Sequence, residues 1–244
     1  MNQRITDNLK RIKDNIAEAC VRKNRDPQSV HLIAVTKNVE IDTIRFLLES
    51  GQLDLGESRV QQLLQRQAMI DESINRQREL AVDNPIPRPR WHMVGHLQRN
   101  KVKQLLPAVA LIHSVDSLRL AEEINTAAAR LGLSHKVHIL LQVNTSQEKQ
   151  KTGLAVGAVT ALAEQIETLP NIRIAGLMTM TPIDATEDVA RFCFGRCREV
   201  FDELCGERVV GPYCKHLSMG MSQDYVTAVE QGSTMVRIGS ALFE

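Results

Sequence analysis

The chain has 244 residues, 43% of them hydrophobic and 24% charged, with a formal net charge of +1. This length suits one large core, a complete α/β barrel included, or two small domains. The near-zero charge argues against a nucleic-acid surface or an acidic tail, and no apolar run approaches the ~18 residues that a membrane span needs.

Residues 1–26 space Ile5, Leu9, Ile12, Ile16 and Cys20 at helical intervals, with Asp7, Asp14 and Glu18 on the polar face. This is an amphipathic helix rather than a signal or transit peptide, so a cytoplasmic location is expected. Residues 30–36 form a β-branched apolar run, 41–50 read as helix with Gly51 as its stop, and 53–55 are a very short strand. Val60, Leu63, Leu64, Gln67 and Ile70 continue a helical stripe, which Pro85, Pro87 and Pro89 interrupt as a loop. Strands are expected at 91–94, 110–113, 137–143, 172–177, 216–217 and 234–238. Helices are expected around 101–106, 118–131 (closed by Gly132), 155–169 (ended by Pro170), 189–204 (with Gly206 beyond) and 223–230. Glu148, Lys149 and Lys151 read as a solvated loop. The five cysteines have no framework spacing; Cys193, Cys197 and Cys205 fall on or beside an apolar helical stripe, as core thiols in a reducing compartment would.

About eight strands alternate with helices, and one helix stands in front. Strict alternation argues for a parallel sheet, open or closed. Eight strands favour a single (β/α)8 TIM barrel over residues 1–244 with an extra N-terminal helix, and no G-x-G-x-x-G follows the first strand to suggest a dinucleotide fold.

A barrel of this kind carries its site at the C-terminal ends of the strands. Strand alternation puts Lys37 on the face of Ile33 and Val35, opposite Leu32 and Ala34. If that face points inward, Lys37 is an amine at the mouth of an apolar interior, where it would lose its proton more easily and suit Schiff-base chemistry. Spacing alone fits at least as well a strand-end lysine that reaches solvent. Arg237 lies opposite Val236 and Ile238 and would point inward, where a guanidinium needs a partner; a salt bridge within the barrel would serve equally. The turns Ser218-Met219-Gly220-Met221-Ser222 and Gly239-Ser240 follow the last two strands, where barrels often bind phosphate. His92 and His96 are four apart but on strand and turn, with no third ligand in view, so a zinc site is disfavoured. Arg99, Lys101 and Lys103 lack the aromatic partners of a nucleic-acid surface.

Seven segments in order carry a resemblance over nearly the whole chain: 32–37 (LIAVTK), 56–57 (GE), 92–101 (HMVGHLQRNK), 143–153 (VNTSQEKQKTG), 176–180 (GLMTM), 217–224 (LSMGMSQD) and 233–243 (STMVRIGSALF). With them the chain resembles the pyridoxal 5′-phosphate (PLP) homeostasis protein family, also known as the YggS or PROSC family. The resemblance implies a fold type III PLP barrel like the N-terminal domain of alanine racemase. It implies Lys37 as the internal aldimine lysine, Arg237 near the pyridine nitrogen, and Ser218, Gly239 and Ser240 on the phosphate, with Met219 and Gly220 close by. Where the family has Asn after Gly-Glu, beside the ring, this chain has Ser58, a shorter side chain.

Arg237 stays charged and would disfavour a protonated pyridine nitrogen, leaving a weak electron sink. In the alanine racemase fold the second base comes from an added C-terminal domain, and this chain ends a few residues past the last strand. The expectation is therefore a vitamin B6 protein that binds, stores or delivers PLP with little or no amino acid turnover. Apo-forms of PLP enzymes are candidate partners, with no nucleic acid and no membrane, and a monomer is expected. The alternatives are a minimal PLP-dependent amino acid racemase and a Schiff-base aldolase barrel that uses Lys37 without PLP.

Overall fold

The computed structural model describes residues 2–81, 83, 85–146 and 152–244; the loop expected at Glu148, Lys149 and Lys151 lies outside the described residues. Helix α1 (Asn2–Arg22) precedes β1 (His31–Val35), and the chain continues as α2 (Ile41–Glu49), β2 (Asp54–Glu57), α3 (Val60–Glu79), β3 (Arg90–Met93), α4 (Val102–Leu105), β4 (Leu111–Val115), α5 (Leu118–Leu131) and β5 (Val137–Asn144). There follow β6 (Leu154–Ala155), α6 (Val159–Glu167), β7 (Ile172–Met178), α7 (Glu187–Gly206), β8 (His216–Ser218), α8 (Tyr225–Glu230), β9 (Met235–Ile238) and α9 (Ser240–Phe243). All strands but β6 pair in parallel in the cyclic order β1-β2-β3-β4-β5-β7-β8-β9, and β9 returns to β1. This closed eight-stranded ring with its surrounding helices is the expected (β/α)8 barrel.

Period-two alternation sorts the side chains. Leu32, Ala34, Val236 and Ile238 join the large core between strands and helices, with Ile44, Leu47 and Leu63 among its helix members. Ile33, Leu111, Leu140, Ala175, Met178 and Met235 form a separate, smaller cluster inside the ring. Helix α1 buries Ile5, Leu9, Ile12, Ile16 and Cys20, as its spacing requires. Each large apolar side chain so buried contributes about 1.5–3 kcal/mol. The helix is also tied to the end of the chain: Asn8 Nδ2 donates to Leu242 O (3.1 Å), and Asn15 Nδ2 donates to the Tyr225 hydroxyl (2.7 Å). It therefore braces α8 and α9 on the outside of the barrel seam.

Two local expectations shift. The run expected as helix from residue 155 opens with β6, which extends β5 at Val143↔Leu154, and then a 3-10 turn, so α6 begins only at Val159. Gly206 does not stop α7 but sits within it, and the left-handed residue beyond is Arg208 (φ 57°). Gly51 (φ 81°) and Gly132 (φ 62°) do close their helices as expected.

The turns after β2 and β3 pack backbone on backbone. A Cβ on Gly95 would stand 2.3 Å from the Ser58 carbonyl oxygen and 2.7 Å from its Cα. Overpacking against a main chain that cannot swing aside costs about 2–3 kcal/mol. Gly95→Ala should lower the urea midpoint accordingly, while Gly157→Ala, with nothing within 4 Å, should not.

Candidate functional site

The C-terminal ends of the strands carry Lys37 after β1, Glu57 at the end of β2 with Ser58 beyond it, Thr179 after β7, Ser218 at the end of β8 with residues 219–222 beyond it, and Arg237 on β9 followed by Gly239 and Ser240. Lys37 sits in a turn in which Val39 N–H donates to Thr36 O (3.0 Å) and Asn38 adopts φ 61°, a conformation asparagine tolerates well. Thr36 N–H donates to Gly56 O (3.0 Å), which holds the turn against β2. Ile33, on the face shared with Lys37, lies inside the ring. The Lys37 side chain itself is exposed to solvent at the mouth, not enclosed by the apolar interior.

An ion pair behind the turn fixes its position. Glu57 is fully buried, and Arg66, from the apolar stripe of α3, pairs with it through Nη1. The same Nη1 donates to Thr36 O, Nη2 donates to Val39 O (2.7 Å), and the Thr36 hydroxyl donates to Glu57 Oε1. One guanidinium thus grips the backbone on both sides of Lys37. Sequence patterning does not single out Arg66 as a site residue; its one signal is a place between Leu63 and Ile70 among the buried positions of α3. Removing one partner of a buried pair leaves an uncompensated charge and costs about 3–5 kcal/mol. Arg66→Met should therefore destabilise by at least about 3 kcal/mol in denaturant unfolding. Arg66→Met combined with Glu57→Leu should lose clearly less.

Arg237 points into the ring, opposite Val236 and Ile238, as alternation requires. Its partners are not a carboxylate: Nη1 donates to Ser218 Oγ (2.5 Å) and Nη2 to Thr179 O (3.0 Å). Burial lowers its pKa to about 10, against the charge of Asp224, so the guanidinium stays cationic near neutrality. Its own N–H donates to Gly220 O (3.0 Å). Gly220 has φ 92°, and a Cβ there would meet Ala228 Cβ at 2.6 Å and Tyr225 Cα at 2.8 Å, so glycine alone fits this turn.

The expected phosphate residues divide. Ser218 is fully buried, and its hydroxyl lies inside the ring between Arg237 and His113 Nδ1 (2.9 Å). The hydroxyl beside the Gly239-Ser240 turn is Ser222, whose Oγ accepts from the N–H groups of Gly239 and Ala241 at 3.2 Å each. Ser240 is exposed and Gly239 half-buried. Met219 is buried in the outer core, with its N–H donating to Met235 O (3.1 Å). Ser58 is half-buried with its main chain against Gly95. His92 is held inside the ring, His96 is exposed with Nδ1 3.8 Å from Asp116, and no group of three metal-binding side chains occurs among the described residues. Cys193, Cys197 and Cys214 are buried and Cys205 is exposed.

Two interior histidines are depressed by burial first. Competition with His92 for a proton, the Arg237 cation and the neighbouring His216 push His113 further down. His216 falls to about 4, with His31, His92, His138 and Lys215 adding to burial. Both fold as neutral imidazoles, whereas the unfolded chain takes up their protons near the ordinary value of about 6.5. Below that pH the unfolded state binds more protons, so stability falls as pH drops. The thermal midpoint should decline from about pH 6.5 towards 4, and His216→Gln should make the decline shallower.

Residues 8–244 match the family described as "Alanine racemase, N-terminal domain". A "Pyridoxal phosphate homeostasis protein" of Aquifex aeolicus is 36% identical over 238 residues, which cover 97% of this chain and 96% of the relative. A protein of Bifidobacterium adolescentis described as unknown superposes with a TM-score of 0.88 at 35% identity, over 99% of this chain and 95% of the other. PipY of Synechococcus elongatus PCC7942, solved with PLP bound, superposes with a TM-score of 0.77 at 32% identity, over 94% of this chain and 100% of PipY. The closed barrel and its strand-end site are thus of the alanine racemase N-terminal-domain class. Within that class, the chain belongs to the pyridoxal phosphate homeostasis protein family.

Proposed function

We propose that the protein binds PLP, holds it covalently through Lys37 Nζ, and serves intracellular PLP homeostasis with little or no turnover of amino acids. One observation carries the reading. Strands β1 and β9 pair with Ile33 opposite Arg237 and Ala34 opposite Ile238, and this brings a clamped strand-end lysine, a buried guanidinium and the Gly239-Ser240 turn onto two neighbouring strands. Lys37 lies four residues beyond Ile33, roughly 13 Å along an extended chain. We set a small planar ring across that span, with its aldehyde at the Lys37 end and its basic nitrogen at the Arg237 end. A Cβ on Gly239 would stand 3.7 Å from Val35 O, so the turn lies against the end of β1.

When bound, PLP supplies an aldehyde for a lysine amine and a ring that can take up electron density. Everything else falls to the chain. The Lys37 amine, presented to solvent on a fixed turn, is the covalent anchor. Arg237, a donor only, keeps the ring nitrogen free of a proton and so weakens the electron sink that racemisation or transamination needs. Ser222, Gly239 and Ser240 are assigned to the phosphate. Ser218, expected there from the resemblance, is assigned instead to Arg237 because its hydroxyl is already engaged with it. Met219 and Gly220 shape the turn, and Ser58 borders the ring. A single barrel unit acting as a monomer in the cytoplasm, with apo-forms of PLP enzymes as recipients, completes the reading; thiols without a disulfide among the described residues support a reducing compartment.

Adding PLP to the purified protein should give the visible absorption band of lysine-linked PLP, and Lys37→Ala should abolish it. No band in either protein would overturn the cofactor assignment. A robust racemase or transaminase rate lost in Lys37→Ala would instead overturn the claim of little turnover.

A further inference from the structure

The interior of this barrel is not uniformly apolar. Six side chains from five strands, with Arg90 and His92 both on β3, form one unbroken hydrogen-bonded line across it. At the N-terminal rim, Arg90 donates twice to Asp54, Nε to Oδ1 and Nη2 to Oδ2, both at 2.6 Å. His92 Nε2 lies 3.1 Å from Asp54 Oδ1, His92 Nδ1 3.0 Å from His113 Nε2, and His113 Nδ1 2.9 Å from Ser218 Oγ. Ser218 Oγ then accepts from Arg237 Nη1 (2.5 Å).

Atom by atom, the line admits one proton arrangement while both imidazoles are neutral. Burial pushes the Asp54 carboxyl up, but the hydrogen bonds from Arg90 and His92 outweigh it and hold the group well below the usual carboxylate range. Asp54 is therefore an acceptor only, so His92 must donate from Nε2 and accept at Nδ1. His113 must then donate from Nε2 and accept at Nδ1, and the only donor facing that nitrogen is the Ser218 hydroxyl. The serine proton is committed to His113, which leaves an oxygen lone pair for Arg237.

We propose that His113 is a positioning residue for Arg237: anchored through His92 on Asp54, it turns the Ser218 hydroxyl so that its lone pair, and not its proton, meets the guanidinium that faces the cofactor ring. The proposal rests on the reading that Arg237 faces that ring. Every side-chain polar atom of Asp54, His92, His113 and Ser218 is paired, so the line holds a single arrangement in a low-dielectric interior, where an unpaired member would be costly. The hydrogen-bond partners of His113 among the described residues are His92 and Ser218, so the proposed effect on the cofactor passes through Ser218 and Arg237.

Binding of PLP and of pyridoxal, which lacks the phosphate, is measured by absorbance in wild type, His113→Leu, His113→Gln, Arg237→Gln and Ser222→Ala. His113→Leu breaks the line at nearly constant volume and should weaken both ligands about tenfold, the loss expected when one hydrogen bond to a charged group goes, with a shifted visible band. His113→Gln offers an amide oxygen to Ser218 and an amide N–H to His92 and should restore most of the affinity and the band. Ser222→Ala should weaken PLP alone. Wild-type binding of both ligands by His113→Leu overturns the proposal, as does an effect of that variant on PLP only, which would place Ser218 on the phosphate. Unchanged binding by Arg237→Gln overturns the underlying reading of Arg237 instead. Histidine nitrogen NMR of the wild-type protein without cofactor tests the line independently of any variant's folding. Protonation of both imidazoles at Nε2 near neutral pH supports it, and a proton on His113 Nδ1 overturns it.

Discussion

The parallel pairing of β1 with β9 is the constraint on which the rest of the molecule depends. It closes the ring between the two ends of the chain and sets Ile33 opposite Arg237. A slip of one residue would turn Arg237 out among the helices and Ile33 away from the interior cluster, because strand side chains alternate strictly. The outer face secures the register. Leu32, Ala34, Val236 and Ile238 are all buried there, and α1 bridges from the front of the chain to α8 and α9 at its end. The N-terminal helix therefore acts as a brace across the seam that brings Lys37 and Arg237 together.

Charge is handled differently on the two sides of the strands. Outside, between β2 and α3, Glu57 and Arg66 form a compact pair whose remaining donors are spent on the backbone beside Lys37. Inside, Arg237 has no carboxylate partner among the described residues and bonds to a hydroxyl and a carbonyl. A guanidinium satisfied by neutral acceptors keeps its charge for whatever enters the mouth. That difference suits the two roles: the outer pair holds a turn rigid, and the inner arginine remains available as a donor.

In the proposed function, these two devices let a barrel of the alanine racemase N-terminal-domain class hold PLP with little turnover. An exposed amine on a rigid turn is open to an aldehyde arriving from solvent and to a competing amine that would carry the aldehyde away. Under the same proposal, the Arg237 cation faces the far end of the ring and weakens the electron sink. Firm holding with restrained reactivity is what storage and delivery require.

The order of elements, the barrel and the inward set of β1 and β9 were legible along the chain, because period-two and period-3.6 patterns are local and both faces of each strand must be filled. The inward place of Arg237 and the tight turn at Gly220 were legible for the same reason, since each follows from a local pattern at a strand end or turn. Gly206 as a helix stop and the start of α6 were misplaced by a few residues, since helix ends depend on neighbours as much as on the residue itself. The sequence could not assign partners. Ser218 and Ser222 are both serines in one turn, and only the closed ring shows that one hydroxyl points inward to Arg237 while the other meets the backbone of Gly239 and Ala241. Likewise Arg66, and the line from Asp54 through His92 and His113, join residues from different elements. The sequence by itself determined which faces are buried, because burial follows periodicity. The tertiary structure alone decided which polar groups meet, because a hydrogen bond depends on distances between segments far apart in the chain.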